Sequence, residues 1–320
     1  MVSGRCKMQV MRPKYGIFLF LIIFLSGCAA TRQPDKRASR LVENSRYAYL
    51  NRAYKTALKN LNHSLEIKPN NDSAYNFRAF VKMAMQDQEG ALNDFTQAIR
   101  LNPNYPAAYF NRGTLYLQMG EVNQALADLD KSIALNPKNN DALNNKAIIL
   151  NAIHKPEAAK IIYDTLIVRK PKVGRYYFNR SFAKRKSQDW QGALQDLNKC
   201  LDLNPYDYEA YYNRGMVLQQ LNENKAALAS FEAARRIYPK AFYGSVELGR
   251  VYAQLGHSRK AIALFNQAIR RNQNNAEVYY LRANERVKQK KLSAAITDLK
   301  VARILGYTAA QDKLKQLESM

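Results

Sequence analysis

The residue types on which most enzyme chemistry depends are scarce in this sequence. Its 320 residues include only three cysteines and three histidines. They are Cys6, Cys28, Cys200, His63, His154 and His257. The cysteines fit neither a disulfide framework nor a metal site, and the histidines lie far apart along the chain. There is also no Ser/His/Asp set and no glycine-rich phosphate loop. The sequence therefore predicts a protein that is not an enzyme and that holds neither cofactor nor metal.

Acidic residues are also scarce, with 26 Asp and Glu against 50 Lys and Arg. The formal net charge of +24 makes nucleic acid, a membrane surface and an acidic protein candidate partners. The densest basic stretch, residues 169–186, contains no acidic residue. Such a stretch is either a binding surface or a solvated face, and the sequence leaves both interpretations open.

Proline is uncommon as well, with ten residues, but six of them recur at an interval of 34. These are Pro69, Pro103, Pro137, Pro171, Pro205 and Pro239. The unit 106–139 shows the pattern most cleanly: apolar residues at helical spacing, a break at Gly120, a second helical pattern and then Asn136-Pro137. Each unit is therefore predicted to form two amphipathic helices joined by a tight turn. Such a hairpin is too small to bury its own apolar faces, so it needs neighbours.

In this register the chain contains eight units, which start at Ala38, Asp72, Pro106, Asn140, Gly174, Tyr208, Phe242 and Ala276. We number the positions of a unit from 1 to 34 and call the residues at one position in all units a column. Column 20 is always alanine: Ala57, Ala91, Ala125, Ala159, Ala193, Ala227, Ala261 and Ala295. Column 8 is always small: Ser45, Ala79, Gly113, Ala147, Ser181, Gly215, Gly249 and Ala283. Column 24 is always bulky: Leu61, Phe95, Leu129, Tyr163, Leu197, Phe231, Phe265 and Leu299. Small columns allow two helices to approach closely, and the bulky column fills the space beside them.

A 34-residue period with this column order resembles the tetratricopeptide repeat, or TPR. The resemblance implies an all-α fold, a right-handed α-solenoid of helix-turn-helix units over residues 38–309. Leu314 and Leu317 follow at helical spacing, and residues 310–320 are predicted to form a capping helix over the open end of the stack.

The N-terminus has the order of a secretory signal: basic residues, an apolar run from Ile17 to Leu25, and then small residues. The sequence Leu25-Ser26-Gly27-Cys28 is similar to a bacterial lipobox. This resemblance implies that residues 1–27 are removed, that Cys28 is lipidated and that residues 28–37 form a short linker. Ala29, rather than Asp, after the cysteine implies an outer-membrane lipoprotein that faces the periplasm. The alternative is a plain signal or a short uncleaved anchor.

Arginines recur in column 7 and invite a phosphate-binding interpretation, but aspartates recur in column 23 of the same units. We instead predict structural ion pairs between the two helices of a unit. The predicted pairs are Arg78–Asp94, Arg112–Asp128, Arg180–Asp196 and Arg282–Asp298. The seventh unit has Leu248 opposite Leu264, which supports this interpretation because charged and apolar residues exchange together.

The TPR resemblance implies an inner groove lined by columns 2, 5, 6, 9, 12 and 13 of the first helices. The fifth unit combines two aromatics, an amide and three cations on this stripe, and the sixth unit adds two residues beside it. The predicted partner-binding residues are Arg175, Phe178, Asn179, Phe182, Arg185, Lys186, Tyr212 and Asn213. An acidic peptide with one or two apolar anchors fits such a surface. The Lys and Asn of the TPR carboxylate clamp are missing, since Phe178 and Phe182 occupy those columns here.

Two classes of function remain. The first is a membrane-anchored scaffold or adaptor that binds peptide segments or protein domains in its groove. The second is an envelope-associated structural protein whose basic surface binds anionic lipid or a cell-wall polymer. The export signal disfavours nucleic acid as the partner.

Overall fold

The computed structural model describes the backbone of residues 19–239 and 242–318, and side chains over 34–239 and 244–318. The described residues form seventeen α-helices and no strand. The helices are α1 Leu19–Leu50, α2 Tyr54–Ile67, α3 Asp72–Ala84, α4 Gln88–Leu101, α5 Pro106–Met119, α6 Val122–Leu135, α7 Asn140–Ala152, α8 Pro156–Arg169, α9 Gly174–Lys186, α10 Trp190–Leu203, α11 Tyr208–Gln220, α12 Asn224–Ile237, α13 Phe242–Gln254, α14 Ser258–Arg271, α15 Ala276–Lys288, α16 Leu292–Ile304 and α17 Ala309–Glu318. The prediction of an all-α repeat fold is confirmed.

Up to α6 the helices pack as hairpins, and each hairpin stacks on the next one along the chain. α3 packs against α4 and α5 against α6, while less extensive contacts join α2 to α3 and α4 to α5. The chain divides into two compact units, residues 1–142 and 143–320. The same pairing holds in the second unit, where α9 packs against α10, α11 against α12 and α15 against α16.

The repeated columns form the core of each unit. Every residue of the alanine column and of the bulky column is fully buried. The small column is needed because the two helices of a hairpin touch there. A Cβ atom added at Gly215 would lie 2.7 Å from the Phe231 ring, and one at Gly249 would lie 2.6 Å from the Phe265 ring. These distances are far below van der Waals contact, so a side chain at Gly215 or Gly249 would collide with the phenylalanine ring opposite it.

Every hairpin turn has one residue in the left-handed region, and this residue always occupies column 15. The six side-chain-bearing examples have φ between 57° and 65°. They are Arg52, Gln86, His154, Gln188, Asn222 and Lys290. Gly120 and Gly256 complete the column, with φ of 82° and 79°. The left-handed residue reverses the chain within a few residues, which places the second helix against the first.

The fourth unit departs from the common sequence pattern, yet its Ala159 and Tyr163 are fully buried like their counterparts in the other units. Leu166 replaces a small residue and is fully buried. Lys160 occupies a column that is apolar in other units, and its Nζ lies 2.5 Å from Glu157 Oε2 at the surface. At the end of the chain, α17 buries Leu314 and Leu317 against α16.

Helix α1 begins upstream of Ala38, where the sequence places the start of the first repeat. Pro34 lies inside this helix, which continues through residues 35–37 into the first repeat. The predicted signal peptide (1–27) and the lipidation of Cys28 concern residues whose side chains lie outside the described part, so both stay predictions. Among the described helices, none is both long enough and apolar enough to cross a bilayer.

Candidate partner-binding surface on helices α9 and α11

The eight predicted partner-binding residues lie in the second compact unit, on two helices that are first in their hairpins. Six are on α9, from Arg175 to Lys186, and Tyr212 and Asn213 are on α11. Arg175, Phe182 and Lys186 are exposed, whereas the other five are half-buried. The exposed residues are therefore the ones available for first contact with a partner.

Arg185 joins the two helices at the centre of this surface. Its Nη1 donates to Asn213 Oδ1, and its guanidinium carbon lies 5.2 Å from the centroid of the Phe182 ring. Its Nε is buried and has no hydrogen-bond partner. Burial lowers the pKa of Arg185 from its ordinary value, and the nearby Tyr212 opposes this shift. The group remains a cation at neutral pH because arginine titrates far above it.

Phe182 is the aromatic of this group that a partner reaches most easily. Its side chain is 41% exposed. Phe178, by contrast, packs against the core cluster that contains Tyr177 and Leu197. The centroid of the Tyr212 ring lies 5.8 Å from that of Phe231 in an edge-to-face arrangement. Phe178 and Tyr212 therefore pack against the core, while Phe182 is left for contacts outside the chain.

Side-chain amides on the first helices of the hairpins are partly occupied by hydrogen bonds within the chain. Asn179 Nδ2 donates to Asn144 Oδ1 at 3.3 Å, and Asn111 Nδ2 donates to Asn76 Oδ1 at 3.0 Å in the other unit. Asn213 Nδ2 donates to the Glu209 carbonyl at 2.8 Å. Each amide keeps part of its donor and acceptor capacity, because a side-chain amide offers more hydrogen bonds than these contacts use.

A cavity of 230 Å³ lies at the start of α9, beside the α10–α11 loop. Its lining includes the predicted Arg175 and Phe178, together with Lys172, Gly174, Cys200, Leu203, Asn204, Asp207 and Glu209. Asp207 and Glu209 were not predicted to line this surface. Asp207 caps the N-terminus of α11 and Glu209 lies in its first turn. This end of the surface therefore carries both signs of charge, whereas the Arg185 end carries only cations.

Cys200, on the wall of this cavity, is 1% exposed. Burial, with a smaller contribution from Asp207, raises the pKa of its thiol to about 11. The thiol is therefore protonated at neutral pH and behaves as a small apolar side chain. Among the described residues, no cluster of three or more His, Cys, Asp or Glu is placed to hold a metal ion.

Each arginine of the four predicted ion pairs makes two hydrogen bonds with its aspartate. The Nε–Oδ2 and Nη2–Oδ1 distances are 2.8 and 2.6 Å for Arg78–Asp94, 2.7 and 2.8 Å for Arg112–Asp128, 2.9 and 2.6 Å for Arg180–Asp196, and 2.9 and 2.6 Å for Arg282–Asp298. This forked geometry fixes the first helix of a hairpin against the second. In the seventh unit, Leu248 and Leu264 are both buried at the same two columns.

The third nitrogen of each arginine reaches back to the preceding repeat, a contact that the sequence analysis missed. Arg112 Nη1 donates to Thr96 Oγ1 at 3.1 Å, and Arg180 Nη1 donates to Asp164 Oδ1 at 2.6 Å. The acceptors all stand in column 25 of the preceding unit. The arginine therefore connects three helices. Two of the eight cations in the basic stretch 169–186 are structural for this reason, since Arg180 and Lys184 both pair with Asp196.

Comparison with known families agrees with this architecture. A model described as TPR repeat matches residues 81–120, and three models described as tetratricopeptide repeat match residues 106–139, 183–242 and 220–285. Together they cover about half of the chain. The chain is a tetratricopeptide-repeat protein. No family model of an enzyme is among these matches, and TPR proteins are generally non-catalytic scaffolds.

Solved structures of other TPR proteins share the fold. A tetratricopeptide repeat protein from Parabacteroides merdae is 17% identical, with a TM-score of 0.59, over 78% of this chain and 99% of that one. The C-terminal part of a TPR repeat-containing protein from Cytophaga hutchinsonii is 16% identical, with a TM-score of 0.61, over 74% and 97%. YrrB, described as a TPR protein with an unusual peptide-binding site, is 17% identical, with a TM-score of 0.52, over 57% and 95%. No curated protein matches the sequence.

Proposed function

We propose that this TPR protein is a non-catalytic scaffold or adaptor whose α9–α11 surface binds an acidic peptide segment or protein domain. The observation that supports this most directly is the state of Arg185. It is a half-buried cation that lies on an exposed aromatic ring, and no carboxylate of the described chain pairs with it. A ligand carboxylate would supply the missing counter-charge, and Phe182 would contact an adjacent apolar side chain.

The contrast with the other arginines strengthens the proposal. Arg78, Arg112, Arg180 and Arg282 are all neutralised by an aspartate of their own hairpin. Arg185 is instead held by a neutral amide, so its orientation is fixed while its charge stays available. A pre-oriented cation beside an aromatic loses little side-chain entropy on binding. YrrB, a TPR protein with a peptide-binding site, provides a precedent for peptide binding on this fold.

Phe182→Ala and Arg185→Ala are each expected to weaken the binding of an acidic, apolar-anchored peptide by about 2 kcal/mol or more, which is about 30-fold in Kd. The measurement is fluorescence anisotropy with peptides selected against the wild-type full chain from an array of extended acidic sequences. Phe178→Ala should mainly lower stability, because that ring packs in the core.

Two matched variants control for loss of an aromatic and of a cation. The control for Phe182 is Tyr47, an aromatic residue in the other compact unit that is 74% exposed. The control for Arg185 is the exposed Arg270. Tyr47→Ala and Arg270→Ala should leave Kd unchanged. Equal affinity of all four folded variants would place the site elsewhere. Strong dependence on salt without dependence on Phe182 would favour the alternative function, in which the basic surface binds an envelope polyanion.

The same proposal includes attachment to the bacterial envelope through Cys28, at the outer membrane and facing the periplasm. Cys28→Ala should accumulate as unprocessed precursor and should incorporate no radioactive fatty acid, because the mutation removes the acylated sulfur. Cys6→Ala is the control, since Cys6 precedes the apolar run and should leave labelling intact. Equal labelling of wild type and Cys28→Ala would overturn this part of the proposal.

A further inference from the structure

A second basic feature lies away from α9 and α11, at the hairpin turns of the seventh and eighth repeats. A cavity of 630 Å³ opens between the turn that leads into α14 and the turn that leads into α16. Its lining consists of Gly256, His257, Ser258, Arg259, Lys260, Gln289 and Lys291. Residues from two successive hairpins therefore meet around one space.

The cations of this cavity have no acidic counterpart in its lining. Arg259, Lys260 and Lys291 are exposed, and within the described part of the chain none of the three forms an ion pair. Lys260 Nζ lies 5.0 Å from the centroid of the Tyr252 ring, which positions the ammonium without neutralising it. The lining therefore carries the three positive charges of Arg259, Lys260 and Lys291.

The acidic side chain that contacts the lining residue Ser258 is already paired. Glu285 is buried at 2% exposure, and its Oε1 lies 2.5 Å from Lys288 Nζ. Its other oxygen accepts from Ser258 Oγ at 2.6 Å. The Glu285 charge is therefore balanced by Lys288 and does not offset Arg259, Lys260 or Lys291. A dianionic ligand in the cavity would meet an uncompensated positive field.

We infer that this cavity, here called the turn cavity, binds a phosphate group. Arg259 can donate a forked pair of hydrogen bonds to a phosphate, and Lys260 and Lys291 can add point charges beside it. A phosphate monoester carries about 1.5 to 2 negative charges at neutral pH, which is close to what three cations balance. The group belongs either to a soluble ligand or to the headgroup of an anionic lipid.

The experiment is lysine footprinting of the full chain by acetylation and mass spectrometry. The probes are inorganic pyrophosphate in one arm, and phosphatidylcholine vesicles with or without phosphatidylglycerol in the other. Lys260 and Lys291 should be acetylated several-fold more slowly when a probe binds. Lys199 and Lys225 are exposed lysines away from the turn cavity and serve as internal controls. Comparison of the two vesicle types removes any effect of the N-terminal segment on membrane attachment.

Arg259→Ala should raise the probe concentration needed for half-maximal protection about fivefold, because one cation near an anionic surface contributes about this factor. Arg270→Ala, which removes an exposed cation outside the cavity, should not. Protection by pyrophosphate alone identifies a soluble phosphate ligand, and protection by phosphatidylglycerol as well identifies a lipid headgroup. If all four lysines react equally in both arms, or if the two arginine variants behave alike, the inference is wrong. Neither result depends on peptide binding at α9 and α11.

Discussion

Replacing Arg112 with leucine is expected to lower the free energy of unfolding by about 3–5 kcal/mol, because it leaves a buried carboxylate without its partner. Asp128 is only 6% exposed, and both of its oxygens accept from Arg112. In three other repeats a second cation reaches the corresponding aspartate: Lys82 to Asp94, Lys184 to Asp196 and Arg286 to Asp298. These second cations all stand in column 11, where this repeat has the uncharged Tyr116. Arg112 and Asp128 can therefore be tested as an isolated pair in a double-mutant cycle.

The double variant Arg112→Leu/Asp128→Leu should recover most of the loss, since it imitates the buried Leu248–Leu264 contact of the seventh repeat. Urea denaturation followed by circular dichroism measures all three variants. Arg214→Leu is the matched control. Arg214 Nε donates to the neutral Ser230 Oγ at 3.0 Å, so no charge is stranded and the loss should be much smaller. Additive losses in the double variant would contradict a structural pair.

The repeat architecture could be predicted because its columns record contacts that are made within one hairpin or with the next. An alanine that recurs 34 residues apart is buried each time for the same reason, and Arg112 and Asp128 face each other because both stand at fixed places in one hairpin. Such local and periodic contacts leave a pattern in the sequence. The small residues of column 8 could be interpreted in the same way, since the opposing bulky residue stands in the same unit.

Features without a chemical pattern were not predictable. Column 15 is left-handed in every repeat, yet only Gly120 and Gly256 are glycines, the residue type that adopts this conformation most readily. Phe178 and Phe182 stand one helical turn apart on the same stripe, but only the structure shows that Phe178 packs into the core while Phe182 is exposed. The turn cavity combines residues from two repeats whose basic side chains occupy no shared column. Packing and solvent exposure, rather than residue type, decide these cases.

Phe231→Ala is expected to have a similarly large effect, a loss of about 3–5 kcal/mol in the free energy of unfolding. Phe231 is fully buried on α12, in the cluster that also contains Val246, Leu248 and Phe265. Its ring occupies the space that the missing side chain of Gly215 leaves open. Truncation to alanine would therefore leave a cavity between two repeats that the rigid helices close only in part.

Phe231→Leu is the matched comparison, because four other repeats hold a fully buried leucine in this column: Leu61, Leu129, Leu197 and Leu299. One of these, Leu129, packs opposite Gly113, so a leucine opposite glycine already exists in this fold. We expect Phe231→Leu to cost about 1 kcal/mol, well under half the loss of Phe231→Ala. The loss of stability in both variants would be measured from the midpoints of urea denaturation, provided that the slope of unfolding free energy against urea concentration is unchanged. Equal losses would mean that contacts specific to the aromatic ring, including its edge contact with Tyr212, matter more than the volume that the side chain fills.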